Sequence, residues 1–492
     1  MSDRTHLGPQ AVPTSHPEDI PLVVDLDGTL VRSNLLIESA LQFLATDPLA
    51  AWRLPLWLRE GRAQLKAHLA ERAPLDLAQL PLNETVVQFI RDQRALGRKV
   101  YLASAADERF VRALADHLGL FDGVFASDGA VNLRGREKAR ALVAAFGERG
   151  FDYVGNGRID LDVWDRARRA LLVDVSAAVR AEAAQRCAEV HELDPPMDRA
   201  RSVRIHLKAV RAHQWLKNLL VFLPALAHHS LDGATLGASA LAFLAFSLCA
   251  SSVYVLNDLM DLPSDRAHPT KRARPFASGL LSLFNGLALV PILLVAAALV
   301  SLALPWGFAG VLATYYAITL LYTFVLKRRI VIDVVTLAVL YTIRVVAGGA
   351  ATGIPVSEWL LAFSVFLFLC LALIKRYSEL VERARASKSN AAGRGYVTDD
   401  TPMIGALAGA SGFVSVLVLA LYINSPDVHM LYQHPDMLWG VGLLLLYWVA
   451  RVLMLAHRGE VHDDPLVFAV TDRMSLVTVA LMGLIVVVGS LP

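Results

Sequence analysis

Cysteine is scarce and scattered: Cys187, Cys249 and Cys370 stand far apart in 492 residues and follow no ligand spacing. That excludes a disulfide framework and a cysteine-built zinc site, and leaves packed, reduced thiols as the expectation. An excess of one charge is missing too. Lys and Arg number 47 against 45 Asp and Glu, a formal +2, so no basic field points to nucleic acid. The first twenty residues are polar, contain proline and hold no apolar run. No cleaved leader is expected there, and the N-terminus is expected to stay in the cytoplasm. No internal repeat or low-complexity tract stands out.

Apolar residues are abundant and unevenly placed. They make up 55% of the chain beside 19% charged residues, and mean hydropathy is +0.47. Such a mixture implies a soluble part joined to a membrane part. Residues 1–198 alternate short apolar runs with helical stretches. PLVVDLDGTL, KVYLASA, FDYVGNG and ALLVDV read as buried parallel strands, so an α/β domain with a doubly wound, Rossmann-like sheet is expected. Its active site belongs at the carboxyl ends of the strands. Residues 34–80, rich in Leu, Trp and Arg, read as a helical cap. The seam is HELDPPMDRARSVR, with Pro195 and Pro196, and RIHLKAVRAHQW after it reads as a basic amphipathic helix.

Residues 199–492 read as an all-α polytopic bundle of about nine transmembrane helices, the first near 215–230. The loops after spans two, four, six and eight carry Arg266, Lys271, Arg272, Arg274, Lys327, Arg328, Arg329, Lys375, Arg376, Arg383, Arg385, Lys388, Arg394, Arg458 and Arg473. The alternate loops (227–234, 304–306, 352–357 and 424–436) carry no Lys or Arg. Positive charge therefore places the N-terminal domain and the polar loops inside and the C-terminus outside.

The segment YVLNDLMDLPSDRAHPTKRARPFASG follows an apolar span without a break. Asp258, Asp261 and Asp265 stand at i, i+3 and i+7, one stripe of a helix that Pro263 ends or kinks. Three such carboxylates repel unless a cation sits among them. Mg²⁺ suits the position, because it takes oxygen ligands and shares them with substrate phosphates. Lys271, Arg272 and Arg274 follow and suit further phosphate oxygens. Arg344 lies well inside an apolar span and needs a partner. Gly348-Gly349 reads as close helix packing, and His457-Arg458-Gly459-Glu460-x-His462-Asp463-Asp464 has a metal-like composition.

Asn257-Asp258-x-x-Asp261-x-x-x-Asp265-Arg266 with His268-Pro269-x-Lys271-Arg272-x-Arg274-Pro275 resembles the first aspartate-rich motif of the UbiA superfamily of intramembrane prenyltransferases. The resemblance covers roughly residues 205–492. It implies that Asp258, Asp261 and Asp265 bind Mg²⁺ and a diphosphate leaving group, with Asn257 assisting. The second family motif fits LLYTFVLKRRIVIDVVTLAVLYTIRVVAGG, whose polar members are Tyr322, Lys327, Asp333 and Arg344. Only one acid, Asp333, stands where many prenyl-diphosphate users carry two. Gln214-Trp215-x-Lys217-Asn218 and Lys375-Arg376-Tyr377-x-Glu379-Leu380 resemble the decaprenyl-phosphate phosphoribosyltransferase branch. That branch implies phosphoribosyl pyrophosphate as donor and a polyprenyl phosphate as acceptor, with Lys217, Lys271, Arg274, Lys327, Arg344, Lys375 and Arg376 supplying cations.

Asp25-Leu26-Asp27-Gly28-Thr29 after PLVV resembles the nucleophile motif of the haloacid-dehalogenase (HAD) phosphatases. The resemblance makes Asp25 the nucleophile and Asp27 the acid/base. It makes Ser104 a phosphate-binding hydroxyl and Lys138 the neutralising cation. Gly155-Asn156-Gly157-Arg158-Ile159-Asp160 would be the last motif, so Asp25, Asp27, Asn156 and Asp160 are the metal-site candidates. Asn156 departs from the acid that many relatives carry, and Asp162 is an alternative acid.

Together these imply phosphoribosyl transfer to a polyprenyl phosphate at the cytoplasmic face of a bacterial inner membrane. The fused domain then removes the 5-phosphate, and the product feeds cell-envelope glycans. Two other readings fit the same residues: an aromatic prenyltransferase using a prenyl diphosphate, and a non-catalytic transporter or scaffold of lipid phosphates. The expected partners are the membrane, the lipid and the donor but not nucleic acid, and a homo-oligomer is compatible with all three readings.

Overall fold

The computed structural model describes residues 20–128, 131–385, 395–461 and 465–491. Lys388, Arg394, His462, Asp463 and Asp464 lie outside the described residues. The chain forms two compact units, Met1–Ala209 with Asp258–Leu287, and Val210–Asn257 with Ala288–Pro492. The sequence suggested one cut at 198/199, whereas the polar loop after the second expected span clusters with the N-terminal unit.

That unit holds a sheet of six parallel strands: β1 (Leu22–Asp25), β2 (Val100–Asp107), β3 (Gly123–Ser127), β4 (Asp152–Gly155), β5 (Arg169–Val173) and β6 (Glu189–Asp194). Their order is β3-β2-β1-β4-β5-β6. The inner strands LVVD and DYVG are buried throughout, as strands covered on both faces require. Strand order reverses at β1, so the crevice at its carboxyl end is where such sheets bind ligands. Asp25 closes β1 opposite Ala103 of β2, one residue before Ser104, and Gly155 closes β4. The two strands without a strong sequence signal, β3 and β6, are the edges. Glu189, Glu192 and Asp194 make β6 look polar because its rim is wet, which also discourages further pairing. His191–Asp194, read as part of the linker, belongs to β6.

Between β1 and β2 stands the helical cap, α1 (Leu35–Thr46), α2 (Arg53–Arg59) and α3 (Arg62–Arg72). Asn34 caps α1 by accepting from the Ile37 amide at 3.1 Å. Trp57 packs against Phe43 and stacks on His68, with ring centroids 5.2 and 5.0 Å apart, giving the cap its own small core.

In the second unit and its extension, eight helices among the described residues are long and apolar enough to cross a membrane, from Gly233–Met260 to Arg473–Ser490. The expected first span, 215–230, is not one of them. Ala212–Phe222 winds as a 3₁₀-helix and Leu223–Ala227 as a short α-helix with Pro224 in its first turn. The run is short for a crossing, and it is held by packing instead. A Cβ at Gly348 would sit 2.0 Å from the Val221 carbonyl oxygen. Glycine there lets the segment press onto the helix Ile332–Thr352, which is the close packing expected of Gly348-Gly349.

Candidate functional site

Four elements bring the phosphatase-type residues together. Lys138 donates to Asp25 Oδ1 at 2.6 Å and to the Tyr153 hydroxyl at 2.9 Å. Tyr153 in turn donates to Asp160 Oδ1 at 3.0 Å. The Thr29 hydroxyl donates to Asp25 Oδ2 at 3.3 Å. Asp160 Oδ2 accepts the amides of Asn156 and Gly157, both at 3.0 Å. Asp27 Oδ1 accepts the Leu35 amide, the first residue of α1, at 2.7 Å. Gly28 has φ +81°, and a Cβ there would meet Asn156 Nδ2 at 2.1 Å. Only glycine allows both the turn and that contact. Ser104 is fully buried, its Oγ accepting the Ala106 amide at 3.0 Å. Asp162 sits apart, 3.9 Å from Arg136.

Burial governs the electrostatics. It lifts Asp27 from 3.8 to about 6, against the pull of the Leu35 amide and with help from Asp25. Asp160 also rises to about 6, through burial and the nearby Asp25. Burial lowers Lys138, but the carboxylates of Asp25 and Asp160 outweigh it and the net shift is upward. Sequence reasoning missed two members. Tyr153 links Lys138 to Asp160, and Lys66 of α3 reaches the Ala105 carbonyl and Asn132 Oδ1, the latter at 2.8 Å. Burial brings Lys66 down to about 8, partly offset by Asp27. Neither belongs to a local motif; the cap assignment of 34–80 was the only signal for Lys66.

The acidic loop is built around one guanidinium. Arg274 Nη1 donates to Asp265 Oδ2 at 2.6 Å and to Asp258 Oδ1 at 3.2 Å. Asp258 and Asp265 are buried and Asp261 is half-buried, at the break between Gly233–Met260 and Leu262–Ala267. Asp265 is raised by burial, against the opposing pull of Arg274. Asn257 is half-buried, while Lys271 and Arg272 are exposed. Among the described residues no three His, Cys, Asp or Glu side chains form a ready cage. Two buried carboxylates nevertheless converge on a single positive nitrogen, that of the Arg274 side chain, which is 25% exposed. The donor set therefore fits a hard divalent cation.

In the second unit the predicted residues fall into two groups. Asp333 is fully buried, with Oδ2 taken by Arg376 Nε at 2.7 Å and Oδ1 by the Tyr396 hydroxyl at 2.5 Å. Tyr322 accepts from Arg376 at 3.2 Å, and Glu379 at 2.8 Å. Tyr396 was missed, because no helix pattern surrounds it. Arg344 is the centre of the other group. It donates to Asn218 Oδ1 at 2.9 Å and to the Tyr315 hydroxyl at 3.1 Å, under the rings of Phe246, Tyr315 and Tyr341. Lys217 is buried with its ammonium 5.6 Å from the Tyr341 ring centre. Lys327 and Lys375 are half-buried. Of the His457–Asp464 run, His457 pairs with the Tyr377 hydroxyl at 2.8 Å.

Residues 218–476 match the family model described as the UbiA prenyltransferase family. The Sinorhizobium fredii protein y4nM, itself uncharacterized, is 37% identical over 464 residues, spanning 93% of this chain and 88% of its own. The nodulation protein NoeC of Azorhizobium caulinodans is 35% identical over 56% of this chain and 89% of its own. The decaprenyl-phosphate phosphoribosyltransferase of Mycolicibacterium smegmatis is 42% identical over 179 residues, which is 35% of this chain and 56% of that protein. The family match covers more than half of the chain, and eight apolar helices accompany it. The chain is a multi-pass membrane protein and belongs to the UbiA prenyltransferase family.

Proposed function

We propose that this protein transfers the 5-phosphoribosyl group of phosphoribosyl pyrophosphate to a polyprenyl phosphate, on the cytoplasmic side of the inner membrane. The observation that carries the reading is the state of Asp333. Both of its oxygens are committed to Arg376 and Tyr396, so the acid of the second motif serves an ion pair and only one acidic cluster remains. One acidic cluster, together with the buried cations Lys217 and Arg344 in the chain's membrane part, suits a reaction in which the acceptor carries phosphate as well as the donor. The likeness to the mycobacterial-type enzyme, named for this reaction, supports the same donor.

The lipid phosphate oxygen attacks the anomeric carbon as the bond from that carbon to pyrophosphate breaks. Asp258, Asp261 and Asp265 would hold Mg²⁺, which when bound offsets the charge of the leaving pyrophosphate. Arg274 moves from the carboxylates to phosphate oxygens, and Lys271 and Arg272 are free to follow the donor's outer phosphates. Arg344 and Lys217 keep positive charge within the bundle for the acceptor phosphate. In the N-terminal unit, Asp25 attacks the 5-phosphate and Asp27, whose burial raises its proton affinity, gives a proton to the leaving ribose oxygen. Lys138 stabilises the aspartyl phosphate, and Asp27 then takes a proton from the hydrolytic water. Asp25 and Asp160, with Asn156, would hold the metal of that step, leaving the Asp27 carboxyl to carry the proton.

Purified protein in lipid nanodiscs is to be given polyprenyl phosphate with labelled phosphoribosyl pyrophosphate or labelled prenyl diphosphate. Pyrophosphate release from the first donor alone is the expected result. Release from the second alone would return the aromatic prenyltransferase reading, and turnover of neither would return the transporter.

A further inference from the structure

Glu38 lies on the first turn of α1, in the cap of the phosphatase-type site, and Arg266 lies in the acidic loop. They are 228 positions apart in sequence, yet they form a two-pronged ion pair at 2.6 and 2.8 Å. Their side chains are 4% and 7% exposed, so the pair is shut away from water. Arg266 also donates through Nε to the Ala277 carbonyl at 3.0 Å. One guanidinium thus staples both arms of the loop to the cap. A second contact supports the same docking: Gly279 has φ +71°, and a Cβ there would lie 2.5 Å from the Arg32 carbonyl oxygen. Burying two charges is costly unless the geometry is good and the remaining hydrogen bonds are made. Here the geometry is two-pronged and Nε is bonded as well, which offsets much of that cost.

The pair also closes a continuous path between two sets of acids. Asp27 holds the Leu35 amide at 2.7 Å. Leu35 and Glu38 share the first turn of α1. Glu38 holds Arg266, whose neighbour Asp265 shares Arg274 with Asp258 at 2.6 and 3.2 Å. We infer that Glu38 is a positioning residue for the transferase loop, and that α1 couples the phosphatase-type site to it. A phosphate seated at Asp25 shifts the start of α1, and the Glu38–Arg266 clasp carries that shift to the acidic loop. By linkage the effect is reciprocal: occupation of the loop alters affinity at Asp25. The kinetic arm rests on the transferase reading, and the vanadate arm on the phosphatase reading of the Asp25 site.

The test uses the full-length chain in nanodiscs. Glu38→Gln leaves Arg266 buried without its counter-charge and risks misfolding, so Glu38→Gln/Arg266→Gln, which leaves no orphan charge, is made beside it. Hydrogen exchange of the 261–279 backbone is read with and without orthovanadate, a phosphate stand-in for the Asp25 site. Vanadate is expected to slow exchange in the wild type and to leave the double variant, already faster, unchanged. With the donor that the wild type consumes, the double variant is expected to need about tenfold more donor and Mg²⁺ for half-maximal rate. The KM for the lipid acceptor is expected to hold. A folded double variant with wild-type exchange, or with wild-type donor and Mg²⁺ dependence, overturns the inference. If the wild type consumes no diphosphate donor, the transferase reading fails while the exchange experiment still decides the clasp.

Discussion

Asp27 exchanges water for one backbone amide and a low-dielectric wall, and its proton affinity rises accordingly. Asp27 and Asp160 both move from 3.8 to about 6. A carboxyl raised on folding stabilises the fold fully below its unfolded value, near pH 4, and loses that contribution as pH climbs through about 6. Two units amount to at most about 3 kcal/mol for each group. Without metal, the N-terminal unit is therefore expected to melt several degrees higher at pH 5 than at pH 7.5. Asp27→Asn is expected to remove a good part of that difference, and Mg²⁺, which favours the ionised carboxylates, to reverse it. Scanning calorimetry across that pH range checks both; a pH-independent melt contradicts the burial argument. Asp25, Asp27 and Asp160 were legible because their chemistry is packed into short motifs. Lys66, Tyr153, Glu38 and Tyr396 were not, since each gains its role from a partner distant in sequence.

At the scale of elements, the ion pair of Asp333 and Arg376 ties the helix Ile332–Thr352 to Glu358–Arg385. Asp333→Asn takes away the fully buried counter-charge of Arg376 and leaves it the more exposed Glu379, so a loss of about 3 kcal/mol or less is expected. Asp333→Asn/Arg376→Met is expected to recover much of the thermal stability without recovering turnover, as read by melting in detergent beside the donor assay. Gly348→Ala is expected to cost about 1–3 kcal/mol, because the Val221 carbonyl must retreat. Gly483→Ala meets nothing within 4 Å and is expected to be neutral or slightly stabilising. Equal melting of these two variants would remove the packing explanation for the 3₁₀ segment. That segment shows where periodicity misleads. Hydropathy alone sees an apolar run in 215–230, but Lys217, Asn218 and Pro224 interrupt it, and the segment packs against a glycine more than a hundred residues away. The parallel sheet was easier to read, since β1, β2, β4 and β5 are apolar runs and the first three of them carry or lead into Asp25, Ser104 and Asn156. The edge strands, half-wet, carry no such signature.

At the scale of the whole molecule, a bundle of the UbiA family and an α/β unit with a six-stranded parallel sheet share one chain, and the acidic loop clusters with the α/β unit. The boundary drawn from composition near residue 198 follows the hydropathy; the compact units follow contacts, which composition does not encode. If the two activities act in sequence, removing the nucleophile of the second should leave the first intact. The most direct measurement is the mass of the lipid formed from polyprenyl phosphate and ribose-labelled phosphoribosyl pyrophosphate, by wild type and by Asp25→Asn. Polyprenyl-phosphoryl ribose is expected from the wild type, and the same lipid still carrying its 5-phosphate from the variant. Ribose label absent from the lipid fraction of both proteins would contradict that expectation.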